Sequence, residues 1–437
     1  MRERYWTIAL LALGACLRCA WWALNPPNNA FDDHLEVVAH VARTFQSPDP
    51  ASCWECYQPP LYYWLAAVVL RLTWWITHSY WAGWKAVQAL SAAASTAALC
   101  LAFSIVRVGT ANSAARIIGY AVLAFLPVDI LTSSFVANDS FVQLLVTLAV
   151  YAYLRLRSNE PYAWQWAIVL GVAVAAAAWT KQSGLVAITL LPLAAYEIIK
   201  RCSPTPRRTI GLLAIATGTV LAIAQPLYRF AETGDFFLSN QRFFDWAQHQ
   251  QPGTLSLALF TTLQPVALWV TPTLDSSTVG SFWTEVFART WFDYEPKFTS
   301  LTALTTAVAR FSYACGIGWC VLAAIGLWLM ITRRALRTHS NVAVVAMLAL
   351  CVSIPIAQTV RFPYFSSMKP NFALPGTAGL GFLVALGSSL FSGRVRTLAL
   401  MLVAGQLVAC LGQFVAAYVT LPLALGRGPL WPFPPLW

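Results

Sequence analysis

In a chain of 437 residues of which only 10% are charged, four ionisable side chains fall within five positions: Asp32, Asp33, His34 and Glu36. Adjacent carboxylates near a membrane repel each other and lose hydration, which makes a carboxylate a better base. That suits the removal of a proton from a hydroxyl. Taken alone, the four residues fit a solvated acidic loop equally well. A second group follows at Gln58-Pro59-Pro60-Leu61-Tyr62-Tyr63, where two prolines fix the backbone ahead of an aromatic apolar run. Further along, Asp139, Lys181, Arg229, Arg361 and Lys369 stand at the ends of apolar stretches. Ionisable groups at membrane depth are costly and are functional candidates, although a lone Lys or Arg at a helix end also snorkels to water with no further role. Carboxylates and cations sharing a site suit a transfer in which a hydroxyl loses its proton while an anionic leaving group, such as a phosphate, departs against Arg or Lys.

These residues need a membrane scaffold to hold them. The chain is 58% hydrophobic with 20 Trp, well above the apolar share of soluble domains, and it reads as an all-α polytopic membrane protein. About 20 apolar residues cross a bilayer, which places spans at 5–24, 84–106, 114–132, 138–156, 162–179, 183–199, 209–228, 303–331, 341–358, 372–391 and 396–420. The first resembles a signal peptide, but its length and the membrane character of the remaining chain make it a span. Residues 61–76 are apolar but carry Arg71 and several Trp and Tyr. Counting them as interfacial puts fifteen Lys and Arg against three acids on one side, as the positive-inside rule requires. Counting them as a span would flip every later loop. We therefore expect eleven spans with interfacial helices in the first external loop, a cytoplasmic N-terminus and an external C-terminus. One transmembrane domain is expected over 1–437, with external loops at 25–83 and 229–302. Within the latter, 254–270 and 281–292 read as interfacial helices or half-spans. The ending PLWPFPPLW is too short for a soluble domain.

The net charge of +11 follows from loop placement and calls for no nucleic acid. No P-loop, GxGxxG, HExxH or GxSxG pattern occurs. The spacing of His34 and His40 beside Asp33 does not define a metal site, so no ligand set is assigned and a divalent cation stays open as a cofactor. Of the 10 Cys, seven (Cys16, Cys19, Cys100, Cys315, Cys320, Cys351 and Cys410) lie in apolar segments as packing residues. Cys53 and Cys56 form a CxxC in a polar loop, for which a local disulfide is the expectation if the loop is external.

The order of motifs resembles a family. An acidic pair after the first span, QPPLYY, SFVANDSFVQLLVTLAVYAYLR, KQSGL, YRFAETGD and MKPNFALPGTAGLGFL resemble the lipid-linked-sugar glycosyltransferases of the GT-C superfamily. The nearest branch is similar to glycosyltransferase family 39, with its protein mannosyltransferases and the related aminoarabinose transferases, over residues 25 to about 385. The resemblance implies that Asp32 or Asp33 is the base and that Asp139 orients the acceptor. It places Gln58 at the cavity mouth and Lys369, with Arg361, against the donor phosphate. Tyr62, Lys181 and Arg229 complete the substrate-binding set. The second acid is often Glu in the family and is Asp33 here, and Leu35 replaces a Tyr near the histidine.

The function expected is an inverting glycosyltransferase of the inner (plasma) membrane. It takes sugar from a polyprenyl-phosphate donor within the membrane lipids and passes it to a glycan, lipid or protein acceptor on the extracytoplasmic face. The alternative is a secondary transporter or lipid flippase, whose ionisable groups lie at mid-membrane on broken helices. Spans 5–24, 141–156 and 303–331 are nearly free of charge, which counts against it.

Overall fold

A computed structural model describes residues 2–27, 34–158, 162–201, 203–244, 246, 249, 251–272, 278–292 and 302–417. Asp32 and Asp33 lie outside the described residues. Among those described, ten helices are long and apolar enough to cross a membrane, and they coincide with ten of the eleven expected spans. The bundle is built from α1 (Arg2–Leu24), α4 (Tyr80–Gly109), α5 (Ser113–Ala124), α7 (Asp139–Ser158), α8 (Ala163–Thr180), α9 (Leu190–Arg201), α10 (Pro206–Thr233), α14 (Ala303–Thr332), α15 (His339–Arg361), α16 (Thr377–Ser388) and α17 (Gly393–Val415).

The eleventh expected span, 114–132, is broken. After α5 the chain turns extended at Leu126, and Pro127 opens a separate helix, α6 (Pro127–Thr132). Proline lacks an N–H and disfavours helical backbone at the residue before it. The break places Asp129 in the bundle interior, where it pairs with Arg18 at 2.8 Å. Arg18 is the exception to an apolar first span. It is fully buried and also donates to Ser95 Oγ, Gly14 O and Ala124 O.

Helix packing relies on small residues, as is usual where lipid supplies no hydrophobic drive between helices. A Cβ on Gly326 would lie 2.0 Å from Leu383 O, and one on Gly387 would lie 2.1 Å from Leu322 O, so α14 and α16 cross at backbone contact. In the first loop, α2 (His34–Thr44) packs on α3 (Leu61–Thr77). A Cβ on Gly83 would meet the Leu70 side chain at 2.8 Å. Tyr62, near the other end of α3, meets Phe141 of α7. Thus α3 runs back along the first turns of α4 and does not cross the bundle. One face of it is buried while Trp64, Val68, Trp75 and Ile76 are exposed, as an interfacial helix requires. In the long loop, the run 254–270 forms α11 (Leu257–Thr261) and α12 (Pro265–Val270), and 281–292 forms α13 (Phe282–Trp291). Pro265 starts a helix there.

Candidate active site

Two spans do not begin as α-helix. After α8, Lys181 is extended, and residues Gln182–Thr189 form a 3₁₀ helix before α9. After α15, Lys369 is likewise extended, and Pro370–Gly376 form a second 3₁₀ helix before α16. Runs of this length are uncommon and mark strained or functional segments. The first has a local cause. A Cβ on Gly184 would lie 2.2 Å from Ala177 O, so only glycine lets the chain fold back on α8. Lys181, just before the first 3₁₀ segment, and Asn371, within the second, reach the N-terminus of α7.

There Asp139 is buried and pairs with Lys181 at 2.6 Å. Its Oδ1 also accepts from Asn371 Nδ2 at 3.1 Å, two residues beyond Lys369. The first turn of α7 is a favourable place for a carboxylate. Asn138 donates to Thr180 O at 3.2 Å and, at 3.4 Å, to Gln58 Oε1. Gln58 in turn donates to Glu55 and Tyr57, and its carbonyl accepts from Arg229 at 3.3 Å. Arg229 is buried beside Glu232 at 3.0 Å. Gln58, Asp139, Lys181 and Arg229, picked from the sequence, therefore belong to one network that joins the first loop, α7, α8 and α10. Tyr62 borders it, with its ring against Tyr63 and Phe141.

Around this network buried polar atoms gather without hydrogen-bond partners among the described residues: Asn138 Oδ1, Ser140 Oγ, Gln143 Oε1, Ser183 Oγ, Arg229 Nε and Asn371 Oδ1. Such atoms are rare in native interiors and each calls for an explanation. A polar ligand is one.

The segments flanking the acidic pair meet the same end of the bundle. Before it, Asn25 donates to Ser134 Oγ at 3.0 Å. After it, His34 is buried, with Nδ1 2.7 Å from Tyr63 Oη. Burial, and next the Glu55 carboxylate, raises the Tyr63 hydroxyl well above its ordinary pKa, so it keeps its proton and can donate to the imidazole. Cys53 and Cys56 are joined, closing the turn that carries Glu55. Trp54 stacks on Trp246 at 4.6 Å, so the long loop folds onto the first.

Arg361 stands apart from the Asp139 network. It pairs with Asp235 at 2.6 Å and donates to Phe237 O. The 235–239 segment also meets Gln182, which donates to Leu238 O at 2.9 Å. No three His, Cys, Asp or Glu side chains come together as a metal site among the described residues. Sequence reasoning passed over Asn138 and Asn371, which lie inside the NDS and KPN motifs, because neutral amides carry no charge signal. Arg18 and Asp129 were passed over because nothing in an apolar run announces a partner.

No protein-family model matches the chain, and no curated protein does. Solved structures do. The oligosaccharyltransferase AglB from Archaeoglobus fulgidus, in complex with an inhibitory peptide and a dolichol-phosphate, is similar with a TM-score of 0.51 and 14% identity over 95% of this chain. The same archaeon's oligosaccharyltransferase tethered to an acceptor peptide gives 0.50 and 14%. The chain spans 55% of that protein's length. ArnT from Cupriavidus metallidurans gives 0.41 and 17% identity, covering 89% of this chain and 77% of its own. The architecture is the GT-C fold.

Proposed function

We propose that this protein is an inverting glycosyltransferase that moves a sugar from a polyprenyl-phosphate donor to an acceptor hydroxyl on the extracytoplasmic face. The observation that carries the reading is the buried Asp139–Lys181–Asn371 network, ringed by unpartnered polar atoms, at one end of a GT-C bundle. Dolichol-phosphate bound to AglB supports a lipid-phosphate donor. The basic residues gathered at the other end of the spans support the extracytoplasmic side, as does a disulfide beside the network.

In this reaction Asp32 or Asp33 takes the acceptor proton as its oxygen attacks the anomeric carbon from the face opposite the phosphate. The carbon–oxygen bond to phosphate breaks and the electron pair leaves with the phosphate. Lys369 meets the charge that develops there. Arg361, tied to Asp235, holds the loop that carries Lys369. Asp139 and Lys181 fix the floor on which donor and acceptor meet, and Gln58 and Tyr62 line its mouth.

The test is sugar transfer from polyprenyl-phosphate donors in proteoliposomes. Asp32→Asn and Asp33→Asn are made separately, and one of them is expected to lose roughly 10²–10⁴-fold in rate. Full transfer by both ends the base assignment. Movement of labelled donor across the vesicle with no covalent product at all ends the enzyme reading.

A further inference from the structure

At the end of α7 remote from Asp139, about 24 Å away along the helix, lies a cavity of about 600 Å³. The last turns of α4 and α7 and the start of α15 line this open-sided hollow. Three arginines line it, Arg107, Arg155 and Arg157, together with Ser104 and Ser340. No carboxylate does so among the described residues.

The three arginines are not equivalent. Arg157 is committed, since it pairs with Glu197 at 2.8 Å and donates to Ser340 Oγ at 2.7 Å. Glu197 is overdrawn, because it also takes Arg201 at 2.7 Å and His339 at 3.2 Å. It pairs with neither Arg107 nor Arg155. Arg107 is exposed and makes no ion pair among the described residues. Arg155 lies over the rings of Trp166 and Tyr151, at 5.3 and 6.0 Å, and its buried Nε has no acceptor among the described residues. A planar guanidinium held by aromatic faces keeps its donor fork in one orientation. Two forks without an acid partner among the described residues, beside serines in a concave site, offer the chemistry that recognises phosphate. A topology signal alone needs only basic residues in the loop. It needs neither a cavity nor a guanidinium laid over two aromatic rings.

We infer that this cavity is a binding site for a phosphate-ester anion, formed between Arg107 and Arg155. Val108 and Leu154 also line it, and the cavity sits where two spans end. The occupant favoured by that mixed lining is the headgroup of an anionic phospholipid. The site does not depend on what happens at the Asp139 end.

The experiment is native mass spectrometry of the full chain from nanodiscs of phosphatidylglycerol or phosphatidylcholine, with melting temperature followed in parallel. Wild type retains phosphatidylglycerol preferentially, and Arg107→Gln/Arg155→Gln loses that preference by about tenfold or more, at about 1 kcal/mol per arginine near a headgroup. Ser104→Trp, which leaves every arginine in place and sets an indole in the cavity beside Arg107, has the same effect and guards against a folding defect in the double variant. Inorganic phosphate that displaces the lipid and raises the melting temperature without it keeps the site but assigns it to free phosphate. Equal retention of both lipids by wild type with no response to phosphate overturns the inference. So does undiminished preference in the double variant and in Ser104→Trp.

Discussion

Two buried ion pairs in this bundle differ in what surrounds them. Arg18–Asp129 is closed. The guanidinium donates to Asp129, Ser95, Gly14 O and Ala124 O, and Ser95 Oγ donates back to Asp129 Oδ1 at 2.8 Å. Asp139–Lys181 is equally buried and equally close, yet it sits among six polar atoms with no partner among the described residues. A fully satisfied pair in a low-dielectric interior specifies how helices meet and binds nothing more. A pair set among unsatisfied groups has been kept at a cost that packing alone does not justify. The first pair locks α1 to α6. The second is where chemistry is expected.

Breaking each pair should separate the two roles. The largest effect is expected from Asp129→Ala, which strands a buried guanidinium at a cost of about 3–5 kcal/mol. Folded protein recovered in detergent should fall sharply, and Arg18→Met/Asp129→Leu should restore both folding and sugar transfer. If the apolar double folds but has no activity, the first pair is more than structural. The corresponding replacement at the second pair, Asp139→Leu/Lys181→Met, should also fold. Its transfer should stay down by about 10²-fold or more, in the range seen when one preorganised polar group is removed from a reacting centre. Recovery of transfer there would erase the distinction between the pairs.

Smaller changes sharpen the contrast. Asn371→Ala removes one hydrogen bond to Asp139, worth about 1 kcal/mol, so about fivefold in transfer is expected with the melting temperature nearly unchanged. A rate equal to wild type would mean that the 3₁₀ entry to α16 positions nothing. The smallest effect is expected from Arg361→Gln. Its pair with Asp235 is 40% exposed on the arginine side, and such pairs typically contribute about 0.5 kcal/mol. Transfer should change by less than about threefold. A loss beyond tenfold would return Arg361 to direct contact with the departing phosphate.

Hydropathy identified the membrane class and ten of the spans, because lipid solvation acts on every residue locally and leaves its mark in the residue types. Asp139, Lys181 and Arg229 were visible for the same reason, as ionisable groups where apolar ones are cheaper, and Gln58 through the QPPLYY motif. The break at Pro127 could have been read from the proline alone, but the low cost of extending an apolar run hid it. What the linear chain could not decide is which charges meet. Asp139 finds Lys181 at a separation of 42 residues and Asn371 at 232, while Arg18 finds Asp129 at 111. Those encounters depend on where helices cross, at contacts such as Gly326 with Leu383 and Gly387 with Leu322, where backbones touch only for lack of a side chain. Solvation energy is written residue by residue. Pairing energy exists only once packing has brought two distant residues to the same place, and for that reason the tertiary structure alone told the sealed pair from the open one.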